Sequence, residues 1–190
     1  MVELTELHKH FLNEHLQSGG VAVDFTMGNG NDTLYLSKRV GKDGRVYAFD
    51  IQEEALLSTE KLLLENDAPK NYKLILASHH LVKDYVKEPI NAGIFNLGYL
   101  PRSGKKAVTT LCKTTLPAIQ SALEILSPDG AVIVAIYPGH EEGKREGEMV
   151  REYLKTLNKY RFCPSEFHIL NSEASPYFFL IEKSKRHFDD

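Results

Sequence analysis

Cysteine and long apolar runs are both scarce in this sequence. The two cysteines, Cys112 and Cys163, are isolated and far apart, so the chain carries neither a disulfide framework nor a paired zinc-ligand motif. The longest uninterrupted apolar run, Ala131–Tyr137, is far shorter than the ~18 residues that a membrane-spanning helix needs. The first residues contain no continuous apolar stretch of the signal-peptide type. These absences exclude a membrane span and lead us to expect a cytoplasmic protein.

An excess of positive charge is also lacking. The chain has 23 Lys and Arg against 26 Asp and Glu, for a net charge of −3. This balance excludes a generally basic nucleic-acid-binding coat, so any contact with RNA or DNA must come from local patches. The sequence shows no internal repeat, low-complexity tract or linker, and 190 residues suffice for one core. We therefore predict a single domain over residues 1–190.

The order of the apolar segments predicts strands alternating with helices. The last two strands are separated only by residues 172–175, and such a short connection makes an antiparallel hairpin because a parallel crossover needs about a dozen residues. We predict an α/β fold with a seven-stranded, mostly parallel sheet, a C-terminal antiparallel hairpin and helices on both faces. The predicted strands are Val21–Phe25, Arg45–Asp50, Tyr72–Ser78, Ala92–Leu97, Gly130–Tyr137, Ser165–Asn171 and Pro176–Ser184.

The segment VAVDFTMGNGNDT, Val21–Thr33, places an acid and a glycine-rich turn after the first strand. In a dinucleotide fold such a loop brings a pyrophosphate to a helix N-terminus, and Asp24 would repel that diphosphate. The third glycine of the dinucleotide motif is also missing, because Thr33 stands at its position. S-Adenosylmethionine instead carries a sulfonium and an ammonium, so the same carboxylate can orient its amino-acid part, directly or through water. Gly28 and Gly30 would let the backbone approach this ligand closely.

Asp50 ends the second predicted strand. A carboxylate at this position suits a ribose diol, which dinucleotides and S-adenosylmethionine share, so Asp50 does not discriminate between them. The ordered set of Asp24, the two glycines and Asp50 predicts an S-adenosylmethionine site. The alternative is a tight turn followed by a helix, Thr33–Val40, that Asp32 caps.

A second informative segment, IFNLGYLP, leaves the fourth predicted strand. Ligands of open α/β sheets lie outside the carboxyl ends of the strands, so Asn96 and Tyr99 should face the same crevice as the glycine loop. The Asn96 oxygen can accept a hydrogen bond from a substrate N–H, and the Tyr99 ring can stack on a flat substrate. The loop resembles the Asn-Pro-Pro-Tyr loop of amino-group methyltransferases, with Leu97 and Gly98 in place of the prolines. Alternatively, Asn96 only orders the turn and Tyr99 packs at the sheet edge.

The motifs VDFTMGNGNDT, FDIQ, SHH and FNLGYLP together resemble a family of small bacterial proteins described as rRNA methylases. This family includes the tRNA 5-aminomethyl-2-thiouridine methyltransferases, which act at the wobble base. The resemblance covers nearly the whole chain and implies a Rossmann-like class I methyltransferase fold, S-adenosylmethionine as methyl donor and methylation of the exocyclic amine of a modified wobble uridine. The resemblance and the loop together predict a set of cofactor-binding residues: Asp24, Met27, Gly28, Asn29, Gly30, Asn31, Asp32, Asp50, Gln52, Ser78 and His79.

The expected partner is tRNA, contacted at its anticodon region. Arg102, Lys105 and Lys106 follow the Asn96 segment and could bind phosphates that flank a target base, although a solvated charged loop explains them equally well. No metal is expected, because His79 and His80 have no second ligand cluster. A homodimer would extend the RNA-binding surface of such a small domain. The alternatives are a class I methyltransferase acting on rRNA or a small-molecule amine, and a non-catalytic or NAD-binding module.

Overall fold

The structure is a computed structural model that describes residues 4–97, 112–139, 141–172 and 174–185. Its strands are β1 Val21–Asp24, β2 Arg45–Asp50, β3 Tyr72–Leu76, β4 Ile90–Leu97, β5 Leu126–Ile136, β6 Phe162–Phe167 and β7 Tyr177–Lys183. They form one seven-stranded sheet in the order β3-β2-β1-β4-β5-β7-β6. Strands β1 to β5 pair in parallel, and β7 runs antiparallel to β5 and β6. The predicted mostly parallel sheet with a C-terminal antiparallel pair is therefore confirmed.

Helices cover both faces of this sheet, as the sequence predicts. They are α1 Leu4–His15, α2 Asn31–Val40, α3 Glu53–Glu65, α4 Val82–Tyr85, α5 Cys112–Ile125 and α6 Glu141–Lys155, with a 3₁₀ turn at His79–Leu81. Helices α1 to α3 pack on one face, and α4 to α6 pack on the other. A parallel sheet needs this double cover because its strands are apolar on both sides.

Strand β5 shows how the sequence produces this arrangement. Successive strand side chains point to opposite faces, so Val132 and Val134 join the core under α5 and α6. Ala131 and Ile133 join the core under α1 and α2. All of these side chains are fully buried, which explains why β5 reads as an uninterrupted apolar run rather than an alternating one.

Several predicted element boundaries are wrong. Strand β5 begins at Leu126 rather than Gly130, and β6 begins at Phe162 rather than Ser165. Helix α2 begins at Asn31 rather than Thr33, because Gly30 adopts a left-handed backbone (φ 83°) at the N-cap position. Asp32 therefore lies in the first turn of the helix rather than at its N-cap position. Strand β6 ends at Phe167, where it pairs with Phe178, so the hairpin connection is longer than the predicted residues 172–175.

The sheet order places the ends of β1 and β4 side by side. Strand β1 pairs with β2 on one side and with β4 on the other, so the strand order reverses between β1 and β4. Ligands of open α/β sheets bind outside the carboxyl ends of the strands at this kind of switch point. Asp24, Asp50 and Asn96 all lie at these carboxyl ends.

Candidate functional site

The loop between β1 and α2 has a backbone that depends on its glycines. Gly28 and Gly30 have φ angles of 51° and 83°, in the left-handed region that glycine adopts without steric cost. A Cβ atom on Gly30 would also lie 2.8–2.9 Å from atoms of Thr59 in α3. The Thr59 hydroxyl donates to the Gly28 carbonyl at 3.2 Å. The loop is thus held tightly against α3, with partly exposed backbone at Gly28.

Asp50 joins this loop to the end of β2. One carboxylate oxygen accepts the Gly28 N–H at 3.1 Å, and the other accepts the Gln52 N–H at 3.0 Å. The structure therefore brings together three of the residues that the sequence assigns to the donor site. The Asp50 side chain remains partly exposed at the carboxyl end of β2, where its remaining lone pairs can accept hydroxyl groups.

The other predicted loop residues differ in accessibility. Asn29 and Asn31 are exposed at the mouth of the loop, whereas Met27 is buried. The Met27 N–H donates to the Phe49 carbonyl at 2.9 Å, and its side chain packs against Ala48 and Ala55. Met27 therefore contributes to the floor of the loop, and the two asparagines are the ones available to a ligand.

Asp24 lies wholly inside the protein. Its side chain has no exposed surface; one oxygen accepts the Thr26 N–H at 3.1 Å and the other accepts the Thr33 hydroxyl at 2.6 Å. Burial, together with the negative charge of Asp32, raises the pKa of Asp24 to about 7. This geometry gives Asp24 a loop-shaping role. Its predicted orientation of the donor stays a prediction and would act through the loop.

Ser78 and His79 follow β3 and reach the same edge of the sheet. The His79 ring is 6% exposed, and its Nδ1 lies 3.2 Å from the Phe25 carbonyl. Burial lowers the pKa of His79 to about 4, so at neutral pH Nδ1–H donates to that carbonyl and Nε2 carries a lone pair. Within the part of the chain that the structure describes, Nε2 has no hydrogen-bond partner. A buried acceptor left unpaired in this way suits a ligand donor group.

Asn96 stands at the carboxyl end of β4 and contacts the glycine loop twice. Its backbone N–H donates to the Thr26 hydroxyl at 2.7 Å, and its side-chain Nδ2 donates to Asp32 at 2.5 Å. The Tyr137 hydroxyl, at the end of β5, lies 3.3 Å from the Asn96 Oδ1. Burial raises the pKa of Tyr137, and the Asp32 charge adds to this effect, so the phenol stays protonated and is a donor.

Three residues of this region were missed by the sequence analysis. Thr26 and Tyr137 follow strands directly, and the rule that singled out Asn96 would have found Tyr137 as well. His8 of α1 lies 3.7 Å from the Asp32 carboxylate and is 2% exposed. No local motif surrounds His8 in the sequence, because only the packing of α1 across the sheet brings it to the site.

Several predicted residues lie outside the described residues: Tyr99, Arg102, Lys105 and Lys106. Among the residues that the structure does describe, no group of three or more His, Cys, Asp or Glu side chains is placed to hold a metal ion. No helix in those ranges is both long and apolar enough to cross a membrane.

The arrangement combines two kinds of surface in one crevice. On one side, Asp50 offers acceptor oxygens and the Gly28 backbone allows close approach of a polar ligand such as a nucleoside. On the other side, Asn96 and Tyr137 present an ordered amide and a phenol. The residues fit S-adenosylmethionine, because the partly exposed Asp50 carboxylate can accept the ribose hydroxyls and its negative charge suits a cationic ligand.

Comparisons with known proteins agree with this reading of the site. Residues 46–183 match a protein family described as "Putative rRNA methylase". The chain is 35% identical over 189 residues to the chloroplastic tRNA (mnm(5)s(2)U34)-methyltransferase of Arabidopsis thaliana, a match that covers 94% of this chain and 69% of that protein.

Solved structures give the same result for the fold. The crystal structure of an rRNA methylase from Clostridium thermocellum, itself described as putative, is 35% identical, with a TM-score of 0.92 over 96% of this chain and 98% of that one. The crystal structure of a methyltransferase from Streptococcus mutans, also described as putative and solved in complex with SAH, is 39% identical. Its TM-score is 0.87 over 96% of this chain and 99% of that one.

Proposed function

The chain belongs to the family described as "Putative rRNA methylase", a family of class I S-adenosylmethionine-dependent methyltransferases, and we propose that it methylates the exocyclic amine of 5-aminomethyl-2-thiouridine at the tRNA wobble position. Membership confirms the predicted fold class and the predicted methyl donor. The observation that carries the proposed acceptor is the ordered Asn96 amide beside the donor loop. The Arabidopsis relative, a tRNA (mnm(5)s(2)U34)-methyltransferase, supports this acceptor.

Asn96 suits an amine acceptor for an electrostatic reason. An alkylamine is largely protonated in neutral water, and the ammonium form has no lone pair with which to attack. A carboxylate placed against the amine would stabilise that ammonium, whereas the neutral amide oxygen accepts an N–H without the same preference for positive charge. Asn96 can therefore hold the neutral amine in the partly buried crevice and direct its lone pair.

The protein residues contribute positioning rather than covalent chemistry. The bound donor supplies a methyl group on a positively charged sulfur, and the amine nitrogen forms its new bond to that carbon as the carbon–sulfur bond breaks. Asp50 and the Gly28 backbone would hold the nucleoside end of the donor, and Asn96 would align the acceptor nitrogen for attack on the methyl group. Alignment of this kind is worth up to about 7–11 kcal/mol of barrier in well-oriented systems.

RNA is the partner class that the related methyltransferases share. We propose contact with the anticodon region, because the wobble base must enter the crevice at the carboxyl edge of the sheet. The basic residues Arg102, Lys105 and Lys106 follow Asn96 in the sequence and are the proposed contacts to flanking phosphates. The predicted homodimer stays a prediction that analytical ultracentrifugation would test.

The test of this function is methyl transfer to defined RNA. Purified enzyme is incubated with labelled S-adenosylmethionine and tRNA that bears 5-aminomethyl-2-thiouridine, and the nucleosides are analysed by mass spectrometry. Parental enzyme should produce the methylaminomethyl nucleoside at the wobble position. Formation of the product only on rRNA or on a free amine would contradict the proposed acceptor and support one of the alternatives.

The role of Asn96 is tested with Asn96→Ala in single-turnover experiments. We expect donor binding to persist and the methyl-transfer rate to fall roughly 10²–10³-fold, as for other preorganised polar groups. Asn171→Ala is a matched control, because Asn171 is exposed in the connection between β6 and β7 and should leave the rate unchanged. A parental rate for Asn96→Ala would exclude the proposed role.

A further inference from the structure

We infer that Asp32 is a positioning residue for the methyl acceptor: its carboxylate fixes the Asn96 amide so that Oδ1 faces the incoming amine. This inference rests on the proposed function and reassigns Asp32 from the donor to the acceptor. The residue lies in the first turn of α2, and its side chain is 17% exposed. Its hydrogen-bond partner is Asn96, at 2.5 Å.

The contact settles which end of the Asn96 amide is which. An ionised carboxylate only accepts hydrogen bonds, so the Asn96 NH₂ group must face Asp32. The amide oxygen then points to the opposite side, where the Tyr137 hydroxyl donates to it at 3.3 Å. A carbonyl oxygen has two lone pairs, so Oδ1 retains one for an N–H of the substrate.

Asp32 also strengthens this acceptor without touching the substrate amine. A charge-assisted N–H···O⁻ bond polarises the amide and increases the negative charge on its oxygen. The carboxylate acts through the intervening amide, so it does not bind the ammonium form directly. The pair therefore combines a strong acceptor with the neutral contact that an amine nucleophile needs.

The surroundings of Asp32 support a role toward Asn96. His8 Nε2 of α1 lies 3.7 Å from the other carboxylate oxygen, too far for a hydrogen bond. In the described ranges no Lys or Arg nitrogen is within 4.0 Å of Asp32. A carboxylate that served only as a surface ion-pair partner would lie beside such a cation.

A double-mutant cycle tests the inference. Asp32→Asn keeps the shape of the side chain but presents either an oxygen or an NH₂ group, so the Asn96 amide loses its single orientation. We expect the single-turnover rate on the aminomethyl tRNA to fall ~10–100-fold, and the Kd for S-adenosylmethionine to change by less than about threefold. Asp43→Asn, in the exposed turn before β2, is the isosteric control and should keep the parental rate.

The coupling to Asn96 separates positioning from a merely structural effect. In an Asn96→Ala background the Asp32→Asn change should lower the rate by less than about twofold, because its effect passes through the amide that is already missing. Multiplicative losses in the double variant, a parental rate for Asp32→Asn, or a loss confined to donor affinity would each overturn the inference.

A second readout does not depend on activity. The Asn96 side-chain NH₂ signals in a nitrogen–proton correlation spectrum should be shifted downfield in the parental protein and should move upfield in Asp32→Asn. An unmoved signal overturns the contact. If the parental enzyme ignores the aminomethyl tRNA, the proposed function fails on that result alone, and the spectrum still decides whether Asp32 orients the amide.

Discussion

Two buried side chains of the site, Asp24 and His79, should give the folded protein opposite dependences on pH. Burial raises the pKa of Asp24 from 3.8 to about 7, and it lowers the pKa of His79 from 6.5 to about 4. Both shifts have the same main cause, since a buried group resists its charged form whichever sign that charge has. Their consequences for stability have opposite signs.

The signs follow from which state holds the proton. Between about pH 4 and 7, folded Asp24 keeps a proton that the unfolded chain has released. As the pH rises through this range, the free energy of unfolding therefore falls by about 1.4 kcal/mol per pH unit. Between about pH 4 and 6.5, the unfolded chain protonates His79 and the folded state does not, so the free energy of unfolding rises by a similar slope. Over their full ranges the changes are about 4 and about 3 kcal/mol. In the parental protein the two slopes cancel below pH 6.5.

Single substitutions should expose each slope. In Asp24→Asn the amide oxygen can still accept the Thr26 N–H, and its NH₂ group can donate to the Thr33 hydroxyl. The difference in unfolding free energy, variant minus parent, should therefore rise by about 1.4 kcal/mol per unit from pH 4 to 7 and then level off. For His79→Gln the same difference should fall by that slope from pH 4 to 6.5.

Urea unfolding at half-unit steps from pH 4 to 8 measures both differences. Subtracting the parental curve removes the contributions of titrating groups that do not interact with the substituted residue. The exposed Asp43 supplies the control, because Asp43→Asn should give a difference that does not vary over this range. A variant curve for Asp24→Asn or His79→Gln that runs parallel to the parental one would refute the assignment of that proton.

Two further predictions concern the ligands. Asp50→Ala removes the carboxylate that joins the Gly28 and Gln52 N–H groups and that we propose as acceptor for the ribose hydroxyls. The calorimetric Kd for S-adenosylmethionine should therefore weaken by about 10- to 150-fold, from a loss of about 1.5–3 kcal/mol. An unchanged Kd in a folded variant, measured beside Asp43→Ala, would contradict this role. Replacing Arg102, Lys105 and Lys106 by Ala should reduce the slope of log K for tRNA binding against log salt concentration by up to about three units, without changing donor affinity. A parental slope would favour the alternative that these residues form a solvated charged loop.

The sequence predicts the sheet well because the apolar runs of the strands and the helical spacing of apolar residues between them are both clear. The uninterrupted apolar run of β5 indicated a strand buried on both faces, and the structure has this arrangement. The predicted boundaries of helices and strands were less accurate. Helix α2 starts earlier than the apolar pattern suggests, because Gly30 adopts a left-handed backbone at the N-cap position. Strand β6 ends at its last pair with β7, Phe167 with Phe178, and no local sequence pattern indicates where this cross-strand pairing stops.

The site was predicted in the same uneven way. Residues at strand ends were found because the rule for parallel sheets is topological and needs only the order of the elements. His8 was not found, because its approach to Asp32 depends on how α1 crosses the sheet. The contact between Asp32 and Asn96 was also not predicted, because it links residues 64 positions apart in the sequence.

The charge argument that distinguished S-adenosylmethionine from a dinucleotide takes a different form in the structure. The sequence attributed the repulsion of a pyrophosphate to Asp24, but Asp24 is buried and has a raised pKa. Asp32 and Asp50 are the partly exposed carboxylates at the crevice. Asp24 instead forms an internal pair with Thr33, at 2.6 Å. Thr33 occupies the position where a dinucleotide loop has the glycine that allows close packing of helix on strand. The acid and the threonine that replaces this glycine therefore belong to one feature. They form a buried hydrogen bond that joins the two ends of the loop.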